Sequence, residues 1–426
     1  MSASYGWRVT ASEWRANWRV GAAAFLALGL SHAALNAISS LFVIPLQQEF
    51  GWTRAEFAFV HNASLGAALV APFLGRAVDR FGVRRLMLGG MTIYALLYLG
   101  FASMNGSLAL FYTLATLSAV IGLTSSGLTC SRVISEAFPR SLGFSLAAAR
   151  SGLSFTGAVL PALIYAIIAS YGWRAAYLAE SALVLLVALP AVYFWIERSP
   201  SDGGRARARP AAEMPRWGAL FSNPKVLVLC LAAAFGYGPA FAVMSQLQPI
   251  LIGEGVNPGQ AASLVGAAGL ASFAGALITG VLIDRFWAPA IALIFMCGAA
   301  AGAALLALNG SVDTAGAMVA ILLIGLGLGA ELDLVAFMVA RYVGVANFSS
   351  VYGLIVVALA VGGASGASLL GLAYDNHGNY DLALLGVSAS FIVAGLLYLT
   401  LGRYPDQARQ EPSHAPIARA AEDAAG

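Results

Sequence analysis

Ten residues beyond Arg140, where a long apolar run begins, stands Arg150. In a helix rising 1.5 Å per residue that places it ~15 Å along the run, close to the middle of a bilayer core about 30 Å thick. A charge at that depth costs several kcal/mol, on scales that differ widely, so it calls for a function. A fixed guanidinium is suited to gripping a carboxylate through two parallel hydrogen bonds. The structural reading is an internal salt bridge to Glu331 or Asp333. Both readings can hold in alternating states.

Glu331 and Asp333 follow Gly325-Leu-Gly-Leu-Gly deep in another apolar run. Two residues apart on a helix means roughly 200° apart, so at most one can face a central cavity. Desolvation disfavours a charged carboxylate, and a carboxyl group in an apolar cavity can therefore take up and release a proton near neutrality. One of the two is the candidate for proton coupling; the alternative is a structural pair with an arginine.

His32, Asn36 and Ser39 or Ser40 recur at three or four residues and share one face of the first apolar run. Tyr237, between two glycines, and Gln246 punctuate the seventh. Polar stripes on apolar helices face the interior of a bundle. There they touch a substrate or join helices to one another. A histidine such as His32 can titrate near neutral pH, although a lone histidine is more often a hydrogen-bonded core residue.

A different chemistry is concentrated in Gly75-Arg76-Ala77-Val78-Asp79-Arg80-Phe81-Gly82-Val83-Arg84-Arg85, where four arginines and an aspartate crowd one turn between apolar runs. Arg132 and Glu136 are spaced i, i+4 at the end of a later run, and with Asp79, Arg80 and Arg84 they can close one side of a channel as a charge network. Arg341 occupies the corresponding place in the second half of the chain.

Composition says what must hold these residues. Of 426 residues, 60% are hydrophobic and only 10% are charged. A soluble domain carries roughly a quarter charged residues, and the mean hydropathy is +0.80. The chain is therefore read as an integral membrane protein surrounded by lipid. The net charge is only +3, and Lys225 is the one lysine among 23 basic residues. No basic run interleaved with aromatics occurs, which argues against nucleic acid as a partner. Cys130, Cys230 and Cys297 lie singly in apolar runs, so neither a disulfide framework nor a metal site is suggested, and no cofactor is implied.

A membrane helix needs about 20 apolar residues. Twelve such runs fall near 19–46, 55–78, 85–104, 107–131, 140–169, 174–196, 224–252, 258–283, 287–308, 314–341, 348–374 and 381–402. The first is too long, and lacks the small-residue cleavage site, for a signal peptide. The expected architecture is an all-α integral membrane fold of twelve transmembrane helices in two pseudo-symmetric six-helix bundles. Residues 1–196 form the first bundle, 197–223 a polar cytoplasmic linker, 224–403 the second bundle and 404–426 a disordered cytoplasmic tail. Arginines gather at the ends of these runs that share a side with the N-terminus, while the other side keeps only Arg54 and Arg174. The positive-inside rule then puts both termini in the cytoplasm. Asp375 to Asp381, with His377, reads as a solvated external loop. Gly75-x-x-x-Asp79-Arg80-Phe81 returns 205 residues later as Gly280-x-x-x-Asp284-Arg285-Phe286, and Pro45 is echoed by Pro249, as a duplicated six-helix unit requires.

The pattern G-x-x-x-D-R-x-G-x-R-R in 75–85 resembles the loop 2–3 signature of the major facilitator superfamily, with every motif position filled. The resemblance implies that Asp79 caps a neighbouring helix, that the arginines pair with acids on another, and that the loop latches two halves of a transporter. Gly329-Ala330-Glu331-Leu332-Asp333, Arg341-Tyr342-Val343-Gly344 with Tyr352-Gly353, Ala373-Tyr374-Asp375, Phe138-Pro139-Arg140 with Gly143, and Tyr171-Gly172-Trp173-Arg174 are similar to the monocarboxylate and oxalate–formate branch. That branch implies a carrier of small organic anions, commonly driven by protons, with its site at mid-membrane between the halves. The chain departs from it in having no arginine or lysine within runs eight or eleven, so Arg150 would have to supply the charge.

The expected function is a secondary active transporter in the bacterial inner membrane. It would move a monocarboxylate-like anion by alternating access in symport with protons, as a monomer. Drug/proton antiport is disfavoured because the fifth run has Gly152, Gly157 and Pro161 without a G-P-x-x-G-G ending. An enzyme would need a convergent nucleophile or ligand cluster, which four scattered histidines do not supply. A non-transporting membrane sensor would share the fold, and only transport would distinguish it.

Overall fold

The computed structural model describes residues 3–196, 223–283, 285–308, 314–344 and 348–404, except the side chains of 3–10, 72, 75, 76, 79, 128, 143 and 348–350. The linker and tail expected at 197–223 and 404–426 lie outside this range but for residues 223 and 404. The described chain is all helical, with ten helices long and apolar enough to cross a membrane. Dividing the longest of them at Gly172 and adding the helices of 54–81, which fall short of that measure, gives the twelve spans followed here. The first runs through Ala3–Gly29, His32–Asn36 and Ser40–Phe50, and the second through Arg54–Ala58, a tight turn at Phe59–Asn62, and Ala63–Phe81. Val83–Ala102 is the third. Leu108–Gly122 and Gly127–Ala137 make the fourth. One long helical stretch from Leu142 is divided at Gly172, whose φ of 84° only glycine adopts without strain. The fifth span is therefore 142–171 and the sixth 173–195. The second half holds Pro224–Ser245 with Leu247–Gly253, then Pro258–Ile283, Ala288–Leu308, Thr314–Tyr342, Phe348–His377 and Asp381–Leu399.

The leading span of each half is broken, and proline explains where. Pro45 has no N–H for the Leu41 carbonyl, and just before it Leu41 and Phe42 take tighter bonds to Ile38 and Ser39. Pro249 likewise leaves the Ser245 carbonyl unbonded, and the break falls at Gln246, with φ −124° and ψ 19°. A second break in the first span follows Gly29. Ser31 caps the short helix that restarts there, accepting from the Ala34 N–H, and the Tyr94 hydroxyl donates to the stranded Leu30 carbonyl. His32 and Asn36 sit on that isolated turn.

Buried apolar side chains form one cluster in the first half, joined by Ala262 alone from the second, and two in the second half. Between helices the packing uses small residues, as bilayer packing does. Gly325 and Gly329 lie against the backbone of the eighth span at Ala268 and Ser272, while Gly327 turns to Ala299 on the ninth. The Gly-x-Gly-x-Gly run thus spaces the tenth span from two neighbours at once.

Named contacts between the halves cluster from mid-depth to the side away from the N-terminus. Gly157 meets Gly269, the Ala158 carbonyl meets Gly266, and Tyr165 reaches Gly259. Asn62 Nδ2 donates to Ser368 Oγ at 3.3 Å, and the Arg54 guanidinium lies 4.9 Å over the Tyr374 ring. Asp375, expected to be merely solvated, is part of this seal: its carboxylate accepts from the backbone N–H groups of Arg54 and Ala55. Among the described residues, the named contacts between the bundles thus reach from mid-depth to the far side.

Candidate functional site

Between the halves, at mid-depth, lies a cavity of about 390 Å³. Spans one, two and four wall it on one side, and seven, ten and eleven on the other. The first half contributes alanines, among them Ala67, Ala68 and Ala71, and a polar corner containing His32, Asn36 and His61. The second half contributes an aromatic pair, Tyr237 and Phe241, with ring centroids 6.0 Å apart and planes inclined by 18°.

His32, Asn36 and Tyr237, singled out from sequence, all line this cavity. Gln246 does not. It is fully buried, and its Oε1 accepts from the Tyr380 hydroxyl at 2.6 Å. That bond ties the broken turn of the seventh span to Tyr380 at the start of the twelfth, and the Gln246 Nε2 is buried without a hydrogen-bond partner among the described residues. His61 was missed by the sequence reading. It is 3% exposed, stands on the Phe59–Asn62 turn, and meets the Phe241 ring edge-on at 5.1 Å. A single histidine on a non-helical turn has no periodic partner to mark it.

The two acids of the tenth span separate as their spacing requires. Glu331 is 1% exposed and points into the second bundle, where its Oε1 accepts from the Tyr398 hydroxyl at 2.6 Å and its carboxylate abuts Gly236. Asp333 is half-buried and faces the first bundle, within electrostatic reach of Arg150. Arg150 is exposed and interacts in the same way with Tyr352 on the eleventh span. Among the described residues it makes no hydrogen bond or close ion pair. It is not among the residues that line the cavity.

The residues expected to gate divide differently. Arg132 and Glu136 pair at 3.9 Å. Arg84 binds within its own half, donating to the Tyr193 carbonyl at 2.6 Å and stacking 5.0 Å over that ring. Arg80 lies over Phe81, and Arg341 over Phe337 and Tyr404. The side chain of Asp79 is outside the described residues. Arg84 and Arg341 thus brace single bundles here.

A family model for the Major Facilitator Superfamily matches residues 24–367 and 255–423. The chain belongs to the major facilitator superfamily. It is a multi-pass membrane transporter of the secondary type, not an enzyme. It is 27% identical over 403 residues to Monocarboxylate transporter 11 of Mus musculus, covering 91% of this chain and 87% of that protein. The 3-(3-hydroxy-phenyl)propionate transporter of Escherichia coli K12 is 25% identical over 258 residues, 59% of this chain and 62% of its own. The fold matches the nucleoside transporter NupG with a TM-score of 0.74 at 12% identity, covering 91% of this chain and 99% of that one. It also matches an inward-facing, occupied bacterial homologue of the human lysosomal transporter Spinster, with a TM-score of 0.68 at 16% identity over 91% and 97%.

Proposed function

We propose that this protein moves a small organic anion, a monocarboxylate, across the bacterial inner membrane in symport with protons, as a monomer with both termini in the cytoplasm. Residues 1–196 and 224–403 are the two bodies that rock about the central cavity, and the arrangement with the far side sealed by Asp375 and Ser368 is the inward-facing state. The observation that carries this reading is Arg150, an exposed guanidinium facing Asp333 and Tyr352 across the gap and free of close partners among the described residues. Such a cation can bind a carboxylate through two parallel charge-assisted hydrogen bonds. A monocarboxylate carrier and a phenylpropionate carrier among the relatives favour the same substrate class.

Asp333 is the proton-coupling group in this scheme, because it is the acid that faces Arg150. Substrate and proton then compete for and relieve the same charge pair. His32, Asn36 and Tyr237 contact the substrate's body. Asp79, Arg80, Arg84, Arg132, Glu136 and Arg341 form the gate on the side of the termini when the bundles close there.

The test is binding to the purified protein by thermal stabilisation against carboxylates, amino acids, sugars and lipophilic cations. A ligand at a hundred times its dissociation constant stabilises by ~2.7 kcal/mol. Stabilisation by a carboxylate that disappears in Arg150→Ala is the expected result. Stabilisation only by lipophilic cations would overturn it in favour of efflux.

A further inference from the structure

Among the described residues, the wall of the central cavity holds no fixed charge. It contains no Asp, Glu, Lys or Arg, and its titratable groups are His32, His61 and Tyr237. His61 is buried, and neither of its ring nitrogens has a hydrogen-bond partner among the described residues. His32 lies within electrostatic reach of it, and its Nδ1 is likewise unpartnered. Gly122 of the fourth span makes room for His32, whose Cβ occupies the space that a side chain there would take. Buried polar groups in native structures are matched, and exceptions call for a reason.

The elements packed against the pair carry the following other charged and titratable groups. Beside His61, the Glu56 carboxylate accepts from the Thr53 N–H and Arg54 lies over Tyr374. On the fourth span the Tyr112 hydroxyl donates to the Glu56 carbonyl. On the eleventh, Asp375 is bound to the Arg54 and Ala55 N–H groups, His377 to the Ala373 carbonyl, and Tyr352 interacts with Arg150. The second span carries no charge from His61 to Gly75. On the fifth, Arg150 interacts with Asp333, Tyr165 reaches Gly259, and Tyr171 is exposed at the far end. None of these groups but His32, His61 and Tyr237 lines the cavity.

A carboxylate only accepts hydrogen bonds, whereas a neutral imidazole offers one N–H and one bare nitrogen. Protonation turns the bare nitrogen into a donor and puts a positive charge on the ring. Like charges close together disfavour one another, so two neighbouring imidazoles hold a single proton between them. Enclosing an anion away from water without a countercharge is costly. We propose that His61 and His32 take up one shared proton from water when a carboxylate is enclosed in the cavity, and that this proton is the countercharge. An N–H bond forms on one ring and the acid stays ionised, so anion and imidazolium together are neutral. This rests on the carboxylate reading above. The anion meets Arg150 first, and once enclosed it turns its acid group to the histidines, with Asn36 and Tyr237 along its body. This proton crosses with the substrate independently of the one on Asp333.

The experiment is calorimetric titration of the purified full-length protein with acetate, pyruvate, lactate and benzoate. Each is titrated at one pH in two buffers of different protonation enthalpy, which counts the protons taken up per acid bound. Asp333→Asn is measured beside the unaltered protein, because Asp333 would also gain a proton. In that background His61 and His32 are then both changed to Gln, which keeps a donor and an acceptor but does not titrate. The expected result is uptake of about one proton per carboxylate in Asp333→Asn. Affinity there should fall roughly tenfold per unit as pH rises past the titration of the pair. Both effects should be absent when the histidines are replaced. Binding without proton uptake, in the unaltered protein or in Asp333→Asn, would overturn the role of the pair and leave the carboxylate reading standing. Uptake that persists without the two histidines would do the same. Binding of none of the four acids by the unaltered protein would overturn both readings, and it requires no variant to be folded.

Discussion

Asp375 holds the first turn of the helix that begins at Arg54: its Oδ1 accepts from the Arg54 N–H at 2.9 Å and its Oδ2 from the Ala55 N–H at 2.8 Å. The two residues are 321 positions apart and belong to opposite bundles. A carboxylate at a helix N-terminus satisfies backbone donors that have no partner within the helix and meets the positive end of its dipole. Gly371 lies one turn back on the same span, against the backbone of Arg54 and Ala55, so the helix end and the eleventh span touch directly. This is the bond that an outward-opening movement must break.

Asp375→Ala is therefore expected to loosen the far-side seal. Thr53 remains as the N-cap of that helix. Loss of a further carboxylate at a helix N-terminus costs about 1–2 kcal/mol in a partly buried setting, which is a roughly five- to thirtyfold change in the balance of states. A single cysteine at Ser368, in a protein lacking Cys130, Cys230 and Cys297, should be labelled from the far side faster by that order. An unchanged labelling rate would show that this carboxylate does not hold the seal.

The acids of the tenth span should separate in transport as they do in space. Asp333→Asn is expected to abolish uptake driven by a proton gradient while preserving exchange of substrate down its own gradient. Glu331→Gln should leave coupling intact, since Glu331 is enclosed with Tyr398 away from the gap. Uptake into proteoliposomes with and without an imposed pH difference measures both, and the reverse pattern would move the coupling role to Glu331.

Glu331 is expected to matter for stability instead. Tyr398→Phe leaves its buried carboxyl group without that hydroxyl, at a cost of about 1–3 kcal/mol. Removing both polar partners with Tyr398→Phe and Glu331→Leu should recover much of the loss, because an apolar pair strands no donor or acceptor. Gly236→Ala should also destabilise, as its Cβ would lie 2.5 Å from the Glu331 carboxylate. Thermal melting of Tyr398→Phe, Glu331→Leu and the double variant tests the pair, and an additive loss in the double variant would argue against it.

Glu254 lies just beyond the seventh span, where partial burial and then repulsion by Asp381 hold its carboxyl group above the ordinary glutamate range. Folding thus favours its protonated form, so the ionised form subtracts stability at neutral pH. That penalty fades as pH falls through the raised value and is gone below the unfolded one. Glu254→Gln should raise the melting temperature at pH 7–8 by the equivalent of ~0.5 kcal/mol or less, since the group is largely solvated. The gain should shrink in acid; a gain constant from pH 8 to pH 4 would mean that charge is not its cause.

Much of this arrangement follows from sequence. Apolar run length sets the number of spans, because a helix crossing lipid must satisfy its own backbone over about 20 residues. Pro45 and Pro249 mark where the leading spans break, since proline removes a helix bond wherever it stands. The 205-residue recurrence around Asp79 announces the two halves. The spacing of Glu331 and Asp333 already requires that at most one face a central cavity, and it is Leu332 between them that lines it, while His32, Asn36 and Tyr237 declare themselves by polarity on apolar helices. Tertiary structure alone decides which acid lies near Arg150, that the Gln246 carbonyl is bound by Tyr380, that Asp375 serves a helix end in the other bundle, and that His61 joins His32. Helical periodicity fixes the angle between two side chains on one span but not the rotation of that span against its neighbours. A contact between residues hundreds of positions apart, or a histidine on a turn outside the helical period, leaves no local pattern to read. Those relationships exist only once the two bundles are packed together.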